Sequence, residues 1–239
     1  MTIRNAMVLA AGLGSRMRPI TETTPKPLVK IAGKPMVDTA LDLLVEAGVT
    51  RAVVNVHHLA DQMEAHLAGR KTPDILISDE RDMLLDSGGG LKKGLGLLND
   101  DPLFVMNSDL FWVNEGQTSN LRQLGDRFDP DTMDMLLLCV TLENTTGHNG
   151  KRDFSCAEDG RLTRYREGAP NPVVYAGAFI MLPALLNDAP DGAFSLNAYF
   201  DKAIAKGRLF GMTLQGHWIT VGTPEAIAEA ETVLQNLAQ

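Results

Sequence analysis

Short apolar runs alternate along the chain with stretches in which apolar side chains recur every three or four positions. Ala6-Met7-Val8-Leu9-Ala10 is a run of the first kind, bounded by glycine, and predicts a buried strand. Val37, Leu41, Leu44 and Val45 then fall on one helical face ending near Gly48, and residues 51–56 read as a second strand. Leu59, Met63 and Leu67 predict another helix, residues 74–77 a third strand, Leu91, Leu95 and Leu98 a further helix, and residues 103–106 a fourth strand. Leu121 and Leu124 suggest a helix that stops before Asp129-Pro130, followed by a long buried strand over residues 133–141. From Glu143 to Tyr175 polar loops and short strands dominate; residues 173–181 return to a core strand. Leu196, Phe200 and Ile204 outline a helix closed by Lys206-Gly207, and Thr223-Pro224 opens the last one. Strands alternating with helices predict an α/β fold with a doubly wound, mostly parallel sheet and right-handed crossovers.

Composition narrows the function classes. With 239 residues, 44% of them apolar and 22% charged, the chain suits a single soluble α/β domain over residues 1–239. A net charge of −8 argues against nucleic acid or an anionic membrane as partner. Two cysteines make no disulfide framework, and Cys139 lies in an apolar run that suits a core thiol. The first apolar segment is too short for a secretory signal and no stretch reaches bilayer length, so a cytoplasmic location is expected.

The chemistry concentrates after the first strand. Gly12 and Gly14 in Ala11-Gly12-Leu13-Gly14-Ser15-Arg16-Met17-Arg18 allow a sharp turn whose N–H groups can approach phosphate oxygens. Arg16 and Arg18 add forked, permanent cations, and Lys26 is held between Pro25 and Pro27. The dinucleotide fingerprint is excluded because Met17 stands where its third glycine belongs, and no Gly-Lys-Ser/Thr tripeptide occurs. Glycines, paired arginines and the pinned lysine together read as a triphosphate cradle. His57-His58 lacks a third ligand at a convincing spacing, so a helix-entry or substrate-pocket role is expected instead of a metal site. Gly88-Gly89-Gly90 is entropically steep for a mere connector and suggests a planar ring lying on the backbone. Asp109, after Asn107-Ser108 at a strand's carboxyl end, is placed to hold Mg²⁺ against phosphates.

Residues 9–19 together with Pro25-Lys26-Pro27-Leu28-Val29 resemble the signature of the sugar-1-phosphate nucleotidyltransferases. The resemblance covers most of the chain and is strongest at residues 5–36, 85–109 and 216–230. It implies a Rossmann-like three-layer sandwich of the nucleotide-diphospho-sugar transferase (GT-A-like) type, with residues 1–110 as nucleotide-binding half and 111–239 as sugar-binding half. The acetyltransferase β-helix of bifunctional relatives is not expected. The implied activity joins an NTP to a sugar 1-phosphate and releases pyrophosphate, in a monomer or small homo-oligomer.

By the same resemblance Arg16, Lys26 and Asp109 are the catalytic candidates, with Asp109 as Mg²⁺ ligand. Ala11, Gly12, Gly14, Ser15, Asp86, Ser87, Gly88 and Asn107 are candidates for the nucleotide, and Asp153, Glu167 and Gly177 for the sugar, Gly177 by leaving room beside it. Asp86-Ser87-Gly88-Gly89-Gly90 and residues 147–154 are similar to segments of N-acetylmuramate 1-phosphate uridylyltransferases, which implies UTP and a cell-wall recycling sugar. A mannose- or heptose-1-phosphate guanylyltransferase, a phosphocholine-type cytidylyltransferase and a weakly catalytic nucleotide-sugar sensor are the alternatives. Two departures stand out. Thr220 replaces the aspartate usual in Trp-x-Asp-Val-Gly-Thr-Pro, and Gly168 follows Glu167 where a phosphate-binding lysine is common. Lys151, Arg152, Arg166 or Lys202 could replace that lysine.

Overall fold

A computed structural model describes residues 2–99 and 101–237. The elements run β1 (Asn5–Leu9), β2 (Lys30–Ile31), β3 (Lys34–Pro35), α1 (Met36–Glu46), β4 (Arg51–Val56), α2 (Ala60–Leu67), β5 (Asp74–Asp79) and α3 (Asp86–Leu95). There follow β6 (Leu103–Asn107), β7 (Leu110–Val113), α4 (Asn120–Arg127), β8 (Met135–Val140), β9 (Thr145–Thr146), β10 (Phe154–Cys156) and β11 (Leu162–Arg164). The chain closes with β12 (Pro172–Met181), α5 (Asn197–Ala205), β13 (Leu209–Thr213), β14 (His217–Thr220) and α6 (Pro224–Leu237).

The central sheet has the order β5-β4-β1-β6-β12-β8-β13, with the β10–β11 hairpin paired to the start of β12. Ladders β5-β4-β1-β6 and β8-β13 are parallel, whereas β12 runs antiparallel to both β6 and β8. Period-two alternation divides the core between the sheet's faces. In β1, Ala6 and Val8 pack on one face with α1, α2 and α4, while Met7 packs on the other with Leu91 of α3 and Phe200 of α5. This is the doubly wound, three-layer α/β arrangement. A smaller sheet, β7-β14-β9, lies beside the carboxyl end of β6 under α6, whose Ala226 and Ala230 meet Ile219, Val221 and Phe111.

Two differences from the sequence reading bear on the site. The glycine triplet is helical: Gly88, Gly89 and Gly90 lie in the first turns of α3. A Cβ on Gly88 would stand 2.4 Å from the Phe194 ring, and one on Gly89 2.2 Å from the Gly192 carbonyl oxygen. Gly88 and Gly89 let the segment over residues 192–196 seat against the helix, a packing reason for glycine at both positions. At Gly177, too, the space left by the missing side chain is filled by the protein itself. Gly177 sits where β12 bulges between Tyr175 and Phe179, at φ +74°, and a Cβ there would stand 1.9 Å from Leu110 Cδ2. Its missing side chain makes room for Leu110.

Candidate active site

The parallel strands β1, β4, β5 and β6 end on one edge, where open α/β sheets gather ligands. From β1 the chain enters three single-turn helices, over residues 15–17, 20–22 and 26–28. Gly14 makes the first corner at φ +63°, and its carbonyl accepts from the Met17 amide (2.8 Å) and the buried Thr21 hydroxyl (2.8 Å). A Cβ at Gly14 would stand 2.9 Å from Thr21 Cγ2, so the left-handed turn and the close approach both require glycine. Gly12 differs: no atom lies within 4 Å of where its Cβ would be, and its φ is not positive. Neither strain nor packing needs glycine there, which leaves open space facing the cavity as its visible use.

This loop walls a cavity of about 370 Å³ together with Lys26, Asn107, Ser108, Asp109 and Gly222. Lys26 is pinned between its prolines, its side chain only 13% exposed, and Nζ donates to Asp109 Oδ2 at 2.5 Å. Asp109 is held from behind, since its carbonyl accepts from the Val221 amide (2.9 Å) and Ser108 Oγ donates to the Leu9 carbonyl (3.0 Å). Among the described residues no hydrogen-bond partner meets Asp109 Oδ1. Arg16 reaches across toward Gly222, where a Cβ would lie 3.5 Å from its guanidinium nitrogens, and no carboxylate among the described residues pairs with it. A cation without a partner, a lysine shared with one carboxylate and a run of backbone amides make an anion-binding wall.

A second cavity of about 300 Å³ adjoins the first through Leu9, Gly12, Leu84 and Asn107, and Ala11, Asp86 and Ser87 also line it. Asp86 stands at φ +58°, and its Oδ1 accepts from the Ser87 amide (2.6 Å). Ser87 Oγ accepts from the Leu196 amide (3.1 Å), and the Gly88 amide donates to the Phe194 carbonyl (2.9 Å). Gly88 thus lies behind the cavity wall with its donor already used. Asn55 and Glu80, absent from the sequence-derived candidates, line the floor of this cavity, 3% and 1% exposed. Asn55 left a signal in the sequence, a polar residue inside the apolar run of β4, whereas Glu80, just past the polar end of β5, left none.

The sugar-side candidates are not brought into either cavity. Asp153 is turned to the chain itself, Oδ2 accepting from the Tyr175 amide (2.9 Å), and Glu167 is exposed on a turn. Phe154 is core, packed on Phe200. Lys202 is engaged by Asp188 (2.9 Å) and lies over the Tyr199 ring, whereas Arg152 stacks on Tyr165 and lines a separate cavity with Glu143. The two histidines are braces: a nitrogen of His57 bonds the Glu80 carbonyl (2.7 Å), and one of His58 bonds the Thr21 carbonyl (2.7 Å), tying β4 to β5 and to the phosphate loop. Neither faces the cavities. Burial pushes the Cys139 thiol well up from its ordinary value, as expected of an inert core sulfur.

The family model described as "Nucleotidyl transferase" matches residues 5–236. The chain belongs to the nucleotidyl transferase family. This nucleotidyltransferase is 43% identical over 234 residues to the N-acetylmuramate alpha-1-phosphate uridylyltransferase of Caulobacter vibrioides, the alignment covering 96% of each chain. It is 32% identical to the enzyme of that name from Neisseria meningitidis serogroup B, covering 95% of this chain and 97% of the other. The solved structure of HddC from Yersinia pseudotuberculosis, complexed with GMP-PN, shares the fold, with a TM-score of 0.76 at 19% identity over 97% of this chain and 100% of that one.

Proposed function

We propose that the enzyme transfers a uridylyl group from UTP to N-acetylmuramate 1-phosphate and releases pyrophosphate. The observation that carries the transfer is the convergence of Arg16, Lys26 and Asp109 on the loop cavity, beside a second cavity of a size for a base. Choice of base and sugar rests on the names of the two uridylyltransferase relatives. A phosphate oxygen of the sugar attacks the α-phosphorus in line; a new P–O bond forms, the bond to the α,β-bridging oxygen breaks, and pyrophosphate leaves. Little covalent help is needed, because positioning and charge neutralisation dominate such transfers. Lys26 neutralises charge at the α-phosphate, Arg16 steadies the departing pyrophosphate, and the amides of Ala11, Gly12, Gly14 and Ser15 hold the phosphates.

The donor set fits Mg²⁺ held mainly by substrate. Among the described residues no cluster of three His, Cys, Asp or Glu occurs and no partner meets Asp109 Oδ1, and Thr220 supplies at most a hydroxyl. Mg²⁺ is commonly bound by one or two carboxylates plus phosphates and water. When bound, it would neutralise phosphate charge. We further assign Asp86, Ser87 and Asn107 to the base and ribose side and residues 111–239 to the sugar side. The reaction belongs to cytoplasmic reuse of wall sugars. No helix among the described residues is long and apolar enough to cross a membrane.

Pyrophosphate release from a panel of NTPs and sugar 1-phosphates tests the proposal. UTP with N-acetylmuramate 1-phosphate should give the largest kcat/KM; turnover confined to GTP or CTP would overturn the uridylyl assignment. Thr220 favours a second reading, a nucleotide-sugar sensor, which UTP binding without pyrophosphate release would support.

A further inference from the structure

The floor of the second cavity carries a buried polar chain that the transfer chemistry does not use. The Ala10 amide, first of the loop, donates to Asn55 Oδ1 at 2.6 Å. Asn55 Nδ2 donates to Glu80 Oε1 at 2.7 Å, and the Leu85 amide donates to Glu80 Oε2 at 3.1 Å. Glu80 is itself fixed at its backbone: its amide donates to the Val56 carbonyl (2.8 Å), and its carbonyl accepts from His57. Four strand and helix ends therefore meet in one line, from β1 through β4 and β5 to the start of α3.

We propose that Glu80 and Asn55 are positioning residues that hold the phosphate loop at a set distance from the first turn of α3, and so set the fit of the nucleotide spanning both cavities. The proposal rests on the reading that these cavities take an NTP. The hydrogen-bond inventory explains why the residues are a carboxylate and a primary amide. Ala10 N–H, Asn55 NH₂ and Leu85 N–H are all donors. An ionised carboxylate is acceptor-only, so it can end the chain at two points while the asparagine carries one acceptor to Ala10. A glutamine at position 80 must turn its NH₂ toward Leu85 N–H or toward Asn55. If Asn55 flips to relieve the second clash, the conflict passes to Ala10 N–H. Any such misfit is felt in full, because an orphaned buried donor loses its water without compensation.

Other features favour the carboxylate here. It lies below the amino end of α3, where the helix field stabilises negative charge. Gly90 leaves the space for it: a Cβ there would stand 2.6 Å from Glu80 Oε1 and 2.8 Å from Asn55 Nδ2. The third glycine of the triplet is thus explained by this pair, as the first two are by Phe194 and Gly192.

The test is steady-state kinetics with UTP, Mg²⁺ and N-acetylmuramate 1-phosphate on the wild type and on Glu80→Gln, Asn55→Ala and Gly90→Ala. Each variant should raise KM for UTP about tenfold or more, leaving KM for the sugar phosphate within about twofold and kcat within about threefold. A purely structural role would instead lower the melting temperature and scale activity with the folded fraction, without that split. Equal KM values for UTP in wild type and soluble variants overturn the positioning role while leaving the transferase reading intact. A wild type with neither UTP binding nor turnover overturns the transferase reading itself. Hydrogen exchange on the wild type keeps the test decisive if the variants do not fold. Ala10 and Leu85 amides should exchange as slowly as those of β1 and β4, and fast exchange at either would mean the chain of bonds does not exist.

Discussion

Lys26 Nζ and Asp109 Oδ2 stand 2.5 Å apart although 83 residues separate them in the chain. One comes from the proline-braced turn and the other from the end of β6, so the pair measures how closely the phosphate loop is drawn onto the sheet. Asp109→Ala should lower kcat/KM by about 10³-fold and Lys26→Ala by a similar factor, the scale seen when one preorganised charge is removed. Losses in the double variant should fall well short of the product, because the two residues act as a unit. Pyrophosphate release with circular dichroism checks this, and substantial turnover by folded Asp109→Ala would remove Asp109 from its role.

Gly12 and Gly14 are two residues apart yet should fail differently. Gly14→Ala places a Cβ against Thr21 in a left-handed turn and should cost about 1–3 kcal/mol of stability. Gly12→Ala meets nothing in the protein, so stability should hold while KM for UTP rises. Thermal unfolding and kinetics on both variants separate the two effects.

Thr220 pairs with Leu110 on β7, next to Asp109, and offers a hydroxyl where a second carboxylate is usual in the resembling motif. Thr220→Asp should lower the Mg²⁺ concentration needed for half-maximal activity several-fold, since carboxylates suit this ion better than a hydroxyl. A titration of turnover against Mg²⁺ measures it. An unchanged midpoint would mean that position 220 does not approach the ion.

His148 gives a pH signature. Burial, only partly opposed by Asp153, lowers its pKa from the ordinary value; Nδ1 also accepts from the Gly150 amide (3.1 Å), which favours the neutral ring packed edge-on against Trp218. Because the folded value is depressed, its stabilising contribution is complete above the unfolded value and is lost as pH falls from there through the folded value. Wild type should therefore lose more melting temperature than His148→Gln between pH 7.5 and pH 5.5, a range set around the ordinary histidine value of about 6.5. Parallel losses would sink this account.

Gly177→Ala should destabilise severely, through its φ of +74° and the Leu110 contact, and Leu110→Ala should restore part of the loss. Chemical denaturation of the single and double variants reads the coupling directly.

Much of this was legible one stretch at a time. Periodicity located β4 over Arg51–Val56 and α1 over Met36–Glu46, because strand and helix repeats are local properties of a chain. The loop of Gly12, Gly14, Arg16 and the braced Lys26 was also readable, since its chemistry lies within sixteen residues of backbone. The helix at Gly88-Gly89-Gly90 was not, because local propensity argues against it and its cause is tertiary. Phe194, Gly192, Asn55 and Glu80 occupy the space that side chains there would have taken.

What the amino-acid order determined alone is the layer pattern, the family signature and the supply of anion-binding groups near the amino end. Only the folded chain decided which of those groups face one another: Asp109 against Lys26, Gly222 beside Arg16, and Glu80 beneath the loop through Asn55. The physical reason is range. Backbone preference acts over a few residues, whereas a cavity wall depends on parallel strands whose ends are brought together only by long crossovers.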